Sequence, residues 1–478
     1  MTGQVGLIRE AAEWAASLRY ADIPEDVRAL ARAQTLSIAG AGHASLRHPV
    51  GARLLRQLEG EGWAVDAARA ALLTMALDFD ETAFAGHLGH ASVLPPIVAG
   101  ATVGAGEERV LVAQVAAAEV AARVTAAVTL GSARGQTAAH THSAAAVVGC
   151  GIALGLDAER IASALGLALA QSRKVLLPAF MGSDAKFWVA AGPILDAARC
   201  LEAAASGARG LDLVMEAKGG LLDQLAAVPL PEAMSGYGER WHLRTLSIKA
   251  IPGCAYLTAP VEAAIELGPL DIEEIEAVDV AASIFTIGME IESAPFISGP
   301  TSPLPALGFS LGYNIAAALA GGGLAVDDLS PPALDDAGRW ELAGRVSVSH
   351  DEDLTVNALA ATAPVGAGLG WAGERAREWL GSRGGSPELT DRVLAAAATT
   401  AQDTDFTHPA KRIGARLRVQ MRAGSVLEVE REAASGCCQE PVAERLALAE
   451  RKYDENAAGD AAEEIRALGL AADYRRKA

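Results

Sequence analysis

The sequence predicts a mainly α protein, with a large all-α domain followed by a smaller α+β domain. Three observations carry that expectation. Apolar residues recur at three- and four-residue spacing almost without interruption from Gly6 to about Leu267. Strict alternation, the mark of half-buried strands, appears only after Pro269. The chain is 51% hydrophobic with only 4% aromatic residues, so alanine and glycine carry much of the apolar content, which suits closely packed helices.

The helical part opens with "IPEDVRALARAQTLSIAGAGHA". Pro24 and two acids there make a favourable first turn. Further helices are expected around 50–58, 66–77, 108–128, 143–155, 158–170, 184–205 and 259–266, punctuated by Gly and Pro. Beyond Pro269, "IEEIEAVDVAAS" and "GRVSVSH" have short alternating stretches. The clearest strand pair is "ARLRVQMRAGSVLEVERE". Ala415, Leu417, Val419 and Met421 should face a core, Gly424 should lie in the turn, and Glu428 and Glu430 should meet the outward arginines. "LGFSLGYNIAAALAGG" is a helix between the strands, and helical character returns after about Ala433. The expected division is an all-α domain over 1–267, an α+β domain over 268–432, and a segment 433–478 returning to the helical body.

Composition narrows the function. A formal charge of -19 and no Lys/Arg-rich run argue against nucleic acid, and an acidic surface disfavours anionic membranes. The five cysteines form no Cys-x-x-Cys pair, which suits reduced thiols in a cytoplasmic protein and no structural zinc. "MTGQVGLIREAAEWAASL" lacks a basic region followed by an apolar core, so no secretory signal is expected there. The longest hydrophobic run, "SAAAVVGCGIALGL", is too short to cross a bilayer and reads as a buried helix. "GCGIALG" within it follows no strand, so nicotinamide binding is rejected.

Four clusters can carry chemistry. "DFDETAFAGHLGHASVLPP" gathers Asp78, Asp80, Glu81, His87 and His90 after a helix ending near Phe79, with Ser92 expected to cap the next helix. Its bland reading is a solvated acidic loop, and its His-x-x-His spacing is a weak metal signature, so no metal is expected. In "GQTAAHTHSAAAVVG", His140 and His142 stand before the buried helix, as a general base and its neighbour or as fillers of the helix entrance. In "MGSDAKFW", Ser183 is the expected N-cap and puts Lys186 in a first turn, where free N–H groups would favour a carboxylate; otherwise Lys186 is a surface lysine. In "SIKAIPGCAY", Lys249 precedes a tight apolar turn, and Cys254 reads as a buried thiol more readily than as a nucleophile.

Taken in order, these segments resemble the MmgE/PrpD family, which includes 2-methylcitrate dehydratases, cis-aconitate decarboxylase and iminodisuccinate epimerase. The resemblance runs from "YADIPEDVRALARAQTLSIAGAG" through "DFDET…GHAS", "GLDAERIASALGLALAQS", "GSDAKFW", "IKAIPGC" and "FSLGYNIAAAL" to "RLRVQMRAGS" and "PVAERLALAERKY". It implies that the α+β domain is a lid, that the protein is a homodimer, and that no cofactor is needed. It also implies a site holding Asp78, Thr82, His90, Lys186 and Lys249, with either His140 or His142 as a further site histidine. Ser183 and Tyr256 are added as substrate contacts.

The implied activity is a lyase, most simply a hydro-lyase, on a small carboxylic acid. Lys186 and Lys249 would hold the carboxylate, His140 or His142 would move the α-proton, and His90, oriented by Asp78, would act as the acid. An epimerase, isomerase or decarboxylase, a natural-product tailoring enzyme, and a non-catalytic binding protein are the alternatives. The chain departs from the family pattern at Ser37, where an aspartate is common, at Glu81, at Ala91 after His90, and in "AYLTAP", where Thr258 stands near a histidine's place. Missing basic groups around 255–258 point to a smaller acid or one with a less polar tail.

Overall fold

The computed structural model describes residues 6–131, 138–171, 174–400 and 405–457. Its centre is a pair of helices, Glu107–Ala127 and Ala138–Leu154, packed against each other and buried along nearly their whole lengths. Small side chains permit this: a Cβ added at Gly149 would stand 3.0 Å from the Ala117 Cβ. Glu107–Ala127 is long and apolar enough to cross a membrane by composition, and in the fold 89% of that apolar window is buried. Around the pair lie Glu25–Arg47, Trp63–Ala76 and Trp188–Ala205. The last described helix, Val442–Asn456, packs along Glu25–Arg47 and so brings the end of the described chain back to the helical body.

The strands fall between residues 275 and 431 and make one sheet in the order β2-β1-β3-β4. β1 is Ile275–Ala282, β2 Val346–His350, β3 Ala415–Met421 and β4 Val426–Arg431. β1 runs parallel to β2 and antiparallel to β3, and β3 is antiparallel to β4. The alternation in β3 decides its register. Ala415, Leu417 and Val419 are buried, while Arg416 meets Glu430 at 3.1 Å and Arg418 meets Glu428 at 3.4 Å. The molecule is thus mainly helical with one small four-stranded sheet. The expected segment 433–478 lies outside the described residues beyond 457.

Several local expectations change. Ser92 is not an N-cap. It closes the short helix Gly89–Ser92 and donates to the Leu88 carbonyl, and the next helix, Leu94–Ala101, begins with Pro95 and Pro96 in its first turn. His140 and His142 lie inside the first turns of Ala138–Leu154, not ahead of it. Lys186 ends a separate 3-10 turn, Asp184–Lys186, just before Trp188–Ala205.

Candidate active site

The acidic segment is not a solvated loop. Asp78, Asp80, Glu81 and His90 are all buried. Asp78 follows the Trp63–Ala76 helix with φ 49, a left-handed conformation that aspartate tolerates better than most residues and that turns the chain sharply into the site. Two lysines from distant segments close on it. Lys186 Nζ donates to Asp78 Oδ2 at 2.8 Å and sits 4.3 Å from the centre of the Phe309 ring. Lys249 Nζ donates to Asp78 Oδ1 at 3.1 Å, to the Asp78 main-chain carbonyl, to Asp80 Oδ1 at 3.3 Å and to the Gly253 carbonyl at 3.1 Å. Burial alone would raise the Asp78 carboxyl, but the fields of Lys186 and Lys249 outweigh it and hold the group well below the carboxylate range. Burial would likewise lower Lys249, and Asp78 with Asp80 reverses this and raises it. Asp78 and Lys249 therefore hold each other charged at neutral pH.

Asp80 is the hinge between this cluster and the histidines. Its Oδ2 lies 2.6 Å from His87 Nδ1 and 3.1 Å from His90 Nε2, the second an ion-pair approach without hydrogen-bond alignment. Burial opposes its charge, but His87, Lys249 and His90 together keep its carboxyl well below the usual value. An ionised Asp80 accepts the proton on His87 Nδ1, which leaves Nε2 as the ring nitrogen free to exchange a proton. His87 is 33% exposed and lines a cavity with Thr82, Phe84, Tyr256, Phe309 and Lys411. His90 is wholly buried, its Nδ1 2.8 Å from Thr74 Oγ1, and its ring lies nearly parallel to that of His87.

The expected roles shift accordingly. Asp78 is not the orienting partner of His90. It is spent on the two lysines, and Asp80 faces His90 instead. His142 is buried against the His90 ring at 5.6 Å between centroids, and burial pulls its pKa well below the imidazole value, so it is a neutral packing partner behind the site. His140, two residues away on the helix, lines a different cleft with Gln171, Arg199 and Cys200. Ser183 is exposed; its hydroxyl caps the 3-10 turn by accepting from Ala185 N and donates to the Ala179 carbonyl, away from the cluster. Thr82 and Tyr256 line the same cavity as His87, with the Tyr256 ring stacked on Phe285. Cys254 is a buried thiol pushed up to about 12 by burial, hence no nucleophile at neutral pH.

Three residues support or line this site without having been singled out as site residues from the sequence. His87 was noted there only as one charge among several. Lys411 is buried, lines the cavity, and donates to Thr82 Oγ1 at 2.6 Å. Lys452, from the last described helix, donates to the Phe79 carbonyl between the two aspartates and to Ser37 Oγ at 2.9 Å. Beside it, Glu81 accepts from Gln34 Nε2 at 3.0 Å, its carboxyl raised by burial and by the charge on Asp80. Gly89 is required here, because a Cβ would stand 2.1 Å from Glu81 Oε1 and 2.3 Å from Ile38 Cγ1.

Asp80, His87 and His90 also offer one metal-ligating atom each, all within 4.8 Å of one another. The set has metal-site chemistry, and Asp80 is also engaged by His87 and Lys249, while His90 Nε2 approaches it without a hydrogen bond.

A mainly helical chain thus buries two aspartates and two lysines beside a partly open His–Asp pair. Residues 9–232 match the MmgE/PrpD N-terminal domain, a match that supports membership in the MmgE/PrpD family, which includes dehydratases and related enzymes. No curated protein matches the chain.

Proposed function

We propose that the protein is a cofactor-independent lyase, most simply a hydro-lyase, that removes a proton next to the carboxylate of a small acid. The observation that carries this reading is the His87–Asp80 pair, with His87 the one histidine of its segment that opens to the cavity. His87 Nε2 takes the α-proton, Asp80 stabilises the imidazolium that results, and the imidazolium returns that proton to the β-hydroxyl, which leaves as water. Negative charge passes to the substrate carboxylate and is stabilised by the lysines around the cavity. The Asp78–Lys186–Lys249 cluster supports the reading as a preorganised electrostatic floor, since charged groups fixed beforehand need not reorganise as charge develops. An epimerase on the same floor would need a second proton donor across the substrate, and family membership leaves that outcome open.

The test is incubation in D2O with a panel of 2- and 3-hydroxy acids and their unsaturated counterparts, followed by proton NMR. New vinylic signals mean elimination, and α-deuterium without new signals means epimerisation or exchange. Silence across the panel overturns the catalytic reading in favour of a binding protein.

A further inference from the structure

Lys186 and Lys249 are poor anchors for a substrate carboxylate as they stand. Both donate to Asp78, and Lys249 reaches four acceptors with three hydrogens. An incoming carboxylate would have to displace an aspartate already held at ion-pair distance. Lys411 is in the opposite condition. It is only 4% exposed, takes part in no ion pair among the described residues, and makes one side-chain hydrogen bond, to Thr82 Oγ1. Two of its donors are unspent.

Its position is built, not incidental. The Gln439 side chain accepts from Lys411 N at 3.0 Å and donates to the Lys411 carbonyl at 3.3 Å. The neighbouring Ala410 is tied to Thr362 Oγ1 and to Ala363 N. Thr82 is fixed from the other side by reciprocal main-chain hydrogen bonds with Ser247. A buried ammonium with its backbone clamped on two sides and its charge unmatched costs stability unless a ligand repays it. The same cavity is lined by the apolar side chains of Phe84, Phe180, Met289 and Phe309, with Thr125, Thr141 and Tyr256 also on its wall.

We infer that Lys411 and Thr82 seat the substrate's carboxylate, and that the substrate is an acid with an apolar or aromatic arm lying against Phe84, Phe180, Met289 and Phe309. This rests on the proton-transfer reading above, because it places the α-carbon between Lys411 and His87, which line the same cavity. It names a substrate class quite unlike a tricarboxylate, whose further charges would be set against phenyl rings.

The test measures binding, apart from turnover. Calorimetric titration of the full chain uses 3-phenylpropanoate, its neutral analogue 3-phenylpropanamide, and citrate. Wild type should bind the acid at least about tenfold more tightly than the amide, as expected for one charge-assisted contact in a buried site, and more tightly than citrate. Lys411→Met should erase the acid-over-amide preference, and Lys411→Arg should keep part of it. An unchanged preference in Lys411→Met, tighter binding of citrate, or no binding of the acid each overturns the inference.

If Lys411→Met does not fold, wild type alone decides. Burial lowers the Lys411 pKa, with Lys249, Cys254, Cys437 and Cys438 as its charged or titratable neighbours. Burial pushes the three thiols up to about 12, 12 and 11, and Lys249 is raised. The acid-over-amide preference should therefore fade as pH rises, at lower pH than for an ordinary lysine, and a flat preference refutes the seat. Deuterium exchange that Lys411→Met retains with unchanged KM sinks the seat and leaves the proton-transfer reading standing. The expected binding pattern without exchange by any acid does the reverse.

Discussion

Asp78→Asn isolates the electrostatic floor. Asp78 stands 2.8 Å from Lys186 Nζ and 3.1 Å from Lys249 Nζ, separations worth roughly 6 and 5 kcal/mol of gross attraction at an effective dielectric near 20. Desolvating each ion costs several kcal/mol, so the intact cluster is close to neutral for stability. Removing the central charge is not neutral. It leaves Lys186 buried without a carboxylate partner and Lys249 with Asp80 alone, a loss of about 3–5 kcal/mol. Lys186→Met is milder, because Lys249 still holds Asp78. In the double variant the surplus ammonium is gone and Lys249 keeps Asp80. It should therefore be at least as stable as Asp78→Asn alone, with a coupling of about 2–3 kcal/mol. Urea unfolding followed in parallel by far-UV circular dichroism and tryptophan fluorescence measures the midpoints. Additive losses, with the double variant the least stable of the set, would refute the cluster.

Other perturbations have defined outcomes. The carboxyls of Asp78 and Asp80 are held below their unfolded value, so the stability they contribute is present above about pH 4 and lost as pH falls towards their folded values; acid unfolding monitored by circular dichroism should be shallower in Asp78→Asn than in wild type. Gly89→Ala forces a methyl group onto Glu81 and Ile38 and should cost about 1–3 kcal/mol by overpacking, read as a lower thermal midpoint together with slower exchange. Exhaustive EDTA treatment should leave deuterium exchange unchanged. Loss that zinc restores would instead assign Asp80, His87 and His90 to a metal.

Where local pattern decides structure, the sequence was readable. The alternation of β3 predicts both its buried face and the pairing of Arg416 and Arg418 with Glu430 and Glu428, because period-two burial and cross-strand charge are properties of adjacent residues. The meeting of Asp78 with Lys186 and Lys249 was accessible only through resemblance, since no local rule joins residues 108 and 171 positions apart. His87 and His90 could not be ranked from spacing. On one helix they would share a face, but the helix starts at Gly89, so His90 turns inward and His87 stays at the cavity. His140 and His142 separated for a similar reason: two positions along a helix point to different sides. Ser183 carries a good capping signal and caps the 3-10 turn, away from the cluster. Lys411 lies in "THPAKRIGA", which has no periodicity, and its partner Thr82 is 329 positions away. The only available hint was a Lys-Arg pair set between small and apolar residues just ahead of a strand.

Proton transfer through His87 is tested most directly by the rate of α-deuterium incorporation in D2O. The comparison is wild type against His87→Asn and His140→Asn, using whichever acid wild type exchanges fastest. With His87 as the base, His87→Asn should lose about 10²–10⁴-fold in rate, and His140→Asn, in a separate cleft, should stay within about twofold. Full activity in His87→Asn with collapse in His140→Asn would contradict the assignment and move the reacting centre to the other face of the Ala138–Leu154 helix.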